Sequence, residues 1–209
     1  YHLTPKKIYK LYEIWCYMKL HHILAELGYH IEEYGVLKCK DNGLYLSLVE
    51  DEEAKMVYRH GDERIELWYN KSYDKLPTTN QRPDTVLAIR KQNDFSKERI
   101  YLFDAKYRLQ VSKQGIIGPM EEDINVMHRY RDAIVSRLTE NRQFKYDTFG
   151  AYVMFPYWDE EDFSKHHFYK SIDEVNIGGL PMLPGSTELI TKRLKEILGE
   201  TLLEAKQQR

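Results

Sequence analysis

Apolar residues recur along this chain with two different periods, and the switches between them divide it into segments. Residues 5–28, PKKIYKLYEIWCYMKLHHILAELG, carry apolar positions on several faces at helical spacing, with Pro5 near the start and Gly28 after the end. That combination predicts a helix. Runs at 44–49 (LYLSLV), 54–60 (AKMVYRH) and 64–69 (RIELWY) suit strands, and the HGDE turn between the last two predicts a hairpin. After a polar loop over 71–81, RPDTVLAIR (82–90) and IYLFDAKYR (100–108) read as two further strands joined by the polar turn KQNDFSKE. A glycine-containing loop, 111–119, leads to a second helix over about 120–138, whose early acids Glu121, Glu122 and Asp123 suit the positive end of the helix dipole. TFGAYVMFPY (148–157) is apolar enough for a buried strand, 158–186 reads as irregular, and 187–207 is a closing amphipathic helix. Helix, strands, helix, strand, helix is the order of an α/β domain with a mixed central β-sheet flanked by α-helices.

Composition adds limits. The chain has 209 residues, 42% hydrophobic, enough for one substantial core. Its formal net charge of −2 means that any nucleic-acid surface must come from local clusters of cations. Cys16 and Cys39, without a CxxC pair, point to a reducing cytoplasm rather than a disulfide scaffold or a zinc site. No apolar stretch is long enough for a membrane span and no signal peptide is visible. The opening YHLTPKK has no methionine and reads as the start of a domain cut from a longer protein.

The acids at the ends of the 82–90 and 100–108 strands break the apolar pattern. On alternating faces, Ile100, Leu102, Asp104 and Lys106 fall together. If the two strands pair as a hairpin, Asp84 and Asp104 lie at one end of the sheet, where two carboxylates repel unless a cation lies between them. A divalent metal with oxygen ligands answers this, with Lys106 reaching the same phosphate or the attacking water, and these are the parts of phosphodiester hydrolysis. The plain alternative is a salt bridge on a solvated strand end. Glu13 is a third acid, the one charged residue between Leu11 and Met18, and reads either as bonded to a tyrosine or arginine or as reaching the metal site.

RPD, then FDAKYR, then DINVMHRYRDAI, with YEIW on the leading helix, resemble the PD-(D/E)XK nuclease superfamily and its restriction-endonuclease-like core, most nearly the McrC-type nuclease subunits of modification-dependent restriction systems. The resemblance implies Mg²⁺ (with Mn²⁺ as a substitute) on Asp84, Asp104 and the Ala105 carbonyl. It also implies Lys106 as the catalytic lysine, Glu13 as an auxiliary acid and DNA as the substrate. An AAA+ GTPase or ATPase partner, or a missing N-terminal specificity domain, would supply specificity, and a double-strand cut would call for a homodimer.

On the second helix, His128 and Arg131 border the stripe Ile124, Met127, Ile134, Leu138 and read either as rim contacts or as groups facing phosphate. Tyr107 could stack on a base and Arg108 follow a phosphate backbone, although a solvated strand end explains the same charges. Two further readings stay open: a nuclease fold kept as a DNA- or partner-binding module with weak catalysis, and a metal phosphohydrolase or RNase.

Overall fold

The computed structural model describes residues 4–35, 37–40, 43–46, 53–61, 63–91, 94–137 and 144–207. Its centre is a sheet of seven strands, numbered here in chain order: β1 His30–Tyr34, β2 Ala54–His60, β3 Glu63–Tyr69, β4 Thr85–Lys91, β5 Asp94–Ala105, β6 Thr148–Phe155 and β7 Ile177–Pro181. Their order across the sheet is their order in the chain. β1 to β5 pair antiparallel as a meander, whereas β5, β6 and β7 run parallel. Parallel neighbours need crossovers, and helices supply them. α2 (Glu121–Ala133) lies between β5 and β6; the short α3 (Glu160–Phe163) and α4 (His167–Val175) lie between β6 and β7. α1 (Pro5–Glu26) and α5 (Glu188–Gln207) bracket the whole. The mixed sheet flanked by helices agrees with the α/β architecture expected from the sequence.

Alternation along the strands assigns the faces. Tyr101, Phe103, Leu87, Tyr152 and Met154 pack with Cys16, Tyr17 and Leu20 of α1 and with Ile190, Leu194 and Ile197 of α5. Val86, Ile100, Leu102, Ala151, Val153 and Phe155 pack with Ile124, Met127 and Tyr130 of α2 and Phe163 of α3. Both layers are buried, and each fully buried Leu or Phe contributes roughly 1.5–3 kcal/mol. Tyrosines are anchored as they are buried: Tyr17 donates to the Leu67 carbonyl at 2.8 Å and Tyr12 to the Met182 carbonyl at 2.8 Å.

The hairpin expected from 54–60 and 64–69 is β2–β3. Four expectations change. The 44–49 run is represented by Gly43–Leu46, which pairs with Leu37–Lys40 outside the main sheet; residues 47–49 lie outside the described residues. The helix predicted over 120–138 stops at Ala133, because Ile134 turns extended and Val135–Arg137 pairs with Phe144–Tyr146; Leu138 lies outside the described residues. The strand read over 100–108 runs instead from Asp94 to Ala105, taking in part of the expected polar turn KQNDFSKE. The stretch read as irregular, 158–186, holds α3, α4 and β7. Its glycines mislead because they mark close approach rather than a loop: a Cβ on Gly178 would run into the Phe168 carbonyl oxygen and the Ile172 side chain.

Candidate active site

Thr85 faces Phe103 and Val86 faces Leu102 across the β4–β5 pair. Continuing that register by one residue sets Asp84 opposite Asp104. Asp84 directly precedes β4, where its carbonyl accepts from the Asn70 N–H at 2.9 Å and its carboxylate from the Ala105 N–H at 2.9 Å. In an extended residue the N–H and C=O project to the same edge, so the Ala105 carbonyl is directed toward Asp84 as well. Lys106 follows the last residue of β5, and its N–H is fixed on the Met154 carbonyl of β6 at 2.8 Å. The ammonium of Lys106 contacts Asp104 Oδ2 and lies 3.9 Å from Asp84 Oδ2. Asp104 is only 1% exposed, and its Oδ2 meets the lysine at ion-pair range but outside hydrogen-bond alignment.

This is an electrostatically strained group. Burial, then repulsion from Asp104, push the Asp84 carboxyl well above the usual carboxylate range, against the pull of Lys106. Burial alone would lower the Lys106 pKa, but attraction by Asp104 and Asp84 outweighs it and holds the ammonium protonated. On α2, burial and the same two aspartates push the Tyr130 hydroxyl up.

α1 supplies the other wall. Glu13 accepts from the Lys10 ammonium at 2.8 Å and lies close enough to raise the buried Tyr69 hydroxyl, after burial itself. The carboxylate thus has a lysine for its partner, with a tyrosine beside it. A cleft of about 370 Å³ opens over the cluster, lined by Tyr9, Glu13, Asp84, Ala105, Lys106, Tyr107 and Arg108.

A family model described as the PD-(D/E)XK nuclease superfamily matches residues 10–160, most of the chain and every residue of this cluster. The chain belongs to that superfamily. No curated protein and no solved structure matches it. Within the matched residues the chain spells Pro83-Asp84 and Asp104-Ala105-Lys106, and the pairing of β4 with β5 brings these two segments together.

The remaining expected residues divide. Tyr107 is 42% exposed on the cleft and packs edge-on to Tyr9. Arg108 lines the cleft, but its guanidinium grips Asp123 at the start of α2, with Nε donating to Oδ2 at 3.0 Å, and also pairs with Glu122 at 2.7 Å. Arg131 is not brought into the cleft: it donates to the Val175 carbonyl at the end of α4 at 3.0 Å and lies 3.5 Å from His128 Nδ1. Sequence reasoning gives Tyr130 little weight. Its spacing of three from Met127 and six from Ile124 places it on the core-facing stripe, and that is the available signal.

Among the described residues, no group of three or more His, Cys, Asp or Glu is placed to hold a metal ion, so Glu13 does not form such a group with Asp84 and Asp104. Mg²⁺ does not need one, since it is commonly held by one or two carboxylates with water and phosphate oxygens completing the octahedron. The donors present are all hard oxygens, and the repulsion between Asp84 and Asp104 is what a cation would relieve. The residues fit such an ion.

Proposed function

We propose that this PD-(D/E)XK domain is a Mg²⁺-dependent endonuclease that hydrolyses DNA phosphodiester bonds, the cleavage part of a restriction or anti-phage defence system of McrC-like type. The observation that carries this reading is the register-locked meeting of Asp84, Asp104 and Lys106 at the open end of β4 and β5. Asp84, Asp104 and the Ala105 carbonyl would hold the ion, with Glu13 behind them. The bound cation supplies the Lewis acid that polarises the phosphoryl oxygens.

The chain's own residues do the rest. Lys106 stays protonated, so it acts as a fixed cation beside the charge that builds on the phosphoryl group and as a donor that aims the attacking water. Met154, through its carbonyl, fixes the backbone of Lys106.

Specificity would come from an AAA+ GTPase or ATPase subunit or a further domain, and a double-strand cut from pairing of two copies on DNA. Among the described residues no helix is long and apolar enough to cross a membrane, and the cysteine usage supports a cytoplasmic setting. The test is supercoiled plasmid with Mg²⁺ or Mn²⁺, beside Asp104→Ala and Lys106→Ala. Nicking or linearisation by the wild type alone is expected. Equal cutting by all three proteins rejects this site, and tight DNA binding without cutting under any metal, with the partner added, favours the binding-module reading.

A further inference from the structure

The cleft over Asp84 does not end at the acids. On the far side of Glu13 and Asp84 it continues as a second lobe of about 310 Å³, lined by Lys6, Tyr9, Lys10, Glu13, Asn70, Arg82 and Asp84. Tyr9, Glu13 and Asp84 are walls of both lobes. Three cations face two acids there, in a chain whose formal charge is −2, so positive charge is concentrated at this place against the average. The cations come from two separate elements. Lys6 and Lys10 lie one turn apart on the first turns of α1, and Arg82 comes from the loop before β4. The lobe is also built rather than incidental. Arg82 Nε donates to the Asn70 carbonyl at 3.2 Å, while the Asn70 N–H holds the Asp84 carbonyl, so the same residue that places the first acid places the arginine. Asn70 does this in a left-handed conformation, φ 52°, which asparagine tolerates better than most residues. Lys10 lies 4.9 Å above the Tyr69 ring and is held toward Glu13.

We propose that this lobe binds the phosphate adjacent to the one that is cut, so that the cleft accepts a strand of nucleic acid rather than a small phosphate ester. The inference rests on the reading of Asp84, Asp104 and Lys106 as a nuclease centre. Lys6 and Arg82 grip one phosphate and the Lys106 lobe holds the next. Tyr9, 49% exposed between the two lobes, lies against the sugar and base that link them. Interactions of this kind carry no sequence information, which fits a cleavage domain that takes its specificity from elsewhere.

The test is anisotropy with a fluorescein-labelled DNA duplex in EDTA, where a metal-dependent cut cannot proceed, titrated with salt between about 50 and 200 mM. Lys6→Glu and Arg82→Ala are compared with Lys165→Glu, a charge change on an exposed lysine far along the chain. The expected result is binding weakened about tenfold and a log–log salt slope flatter by about 0.9 for each phosphate that is no longer neutralised, with Lys165→Glu close to wild type. Lys6 is exposed on the first turn of α1, so its variant stays informative if Arg82→Ala fails to fold. Lys6→Glu matching Lys165→Glu in affinity and slope overturns the proposal. The plasmid assay separates the two ideas. If the wild type cuts but Lys6→Glu binds normally, only the subsite falls. If the lobe variants lose binding while no protein cuts under any metal with the partner added, the lobe stands as a phosphate site of a binding module and the catalytic reading falls.

Discussion

Replacing Lys106 with methionine keeps the length of the side chain and removes its charge. In metal-free protein the ammonium is the nearest positive group to Asp104 and lies 3.9 Å from Asp84. At an effective dielectric constant of about 20, a pair at that distance attracts by roughly 4 kcal/mol before desolvation is set against it. Breaking a fully buried pair by removing one partner costs about 3–5 kcal/mol. Lys106 is 29% exposed, so about 3 kcal/mol is the better expectation. For a chain of this length that is a fall in Tm of roughly 6–12 °C. Two restorations should follow. Asp104→Asn in the Lys106→Met background removes the orphaned charge and recovers most of the loss. Mn²⁺ added to Lys106→Met alone does the same by standing between the carboxylates. Acidification also helps: the folded-state pKa of Asp84 is raised, so the folded chain binds more protons and its penalty shrinks as the pH falls. Differential scanning fluorimetry in EDTA, with and without Mn²⁺, reads all of this. Strictly additive losses in the double variant would mean that Lys106 and Asp104 are not coupled, and the account of the site would be wrong.

Tyr130→Phe should lower plasmid cleavage by about fivefold, the effect of one hydrogen bond, while Tm shifts by no more than about 3 °C; unchanged cleavage would make Tyr130 a core residue only. Gly178→Ala should destabilise by about 1–3 kcal/mol in urea unfolding, because its Cβ meets a backbone carbonyl that cannot move aside. Burial lowers the pKa of His21, which also bonds the Tyr58 hydroxyl at 2.9 Å, and that of His166. The unfolded chain therefore binds more protons, and the contribution of these histidines is present above about pH 6.5 and is lost as the pH falls below it. Urea midpoints of wild type and His21→Gln, measured at about one pH unit above and below that value, should diverge less at the lower pH.

The site is legible in the sequence where local rules decide it. Period-two alternation places Asp104 beside Leu102, and the apolar runs around a polar turn are enough to pair β4 with β5 and so set Asp84 against Asp104. What is not legible depends on contacts far apart in sequence. Arg131 has the chemistry of a phosphate ligand, but the Val175 carbonyl, which only the folded chain brings near, takes its guanidinium. Arg108 reads as a DNA contact from its place after the D-x-K, yet Asp123 lies within reach once the chain turns into α2. β7 escapes sequence reading because NIGGLP looks like a loop until α4 packs on it; Gly178 admits that packing, and Gly179 admits Pro119 and Phe163. The early end of α2 has a local cause that helical periodicity hides: Ile134 and Val135 are β-branched and continue an apolar spacing while favouring extended backbone.

The agreement between strand order and chain order has a bearing on how the molecule is made. As the chain leaves the ribosome, each of β1 to β5 can settle against the strand synthesised just before it, with no segment waiting for a distant partner. The hairpin carrying both aspartates and the lysine is therefore assembled early, on the microsecond scale typical of such elements. The layer that covers Tyr152, Leu180 and Met182 is shared between α1 and α5, the earliest and latest helices of the described chain. Until α5 is released, that apolar surface lacks part of its cover, and the nascent protein is most exposed to aggregation with Asp84, Asp104 and Lys106 already in register.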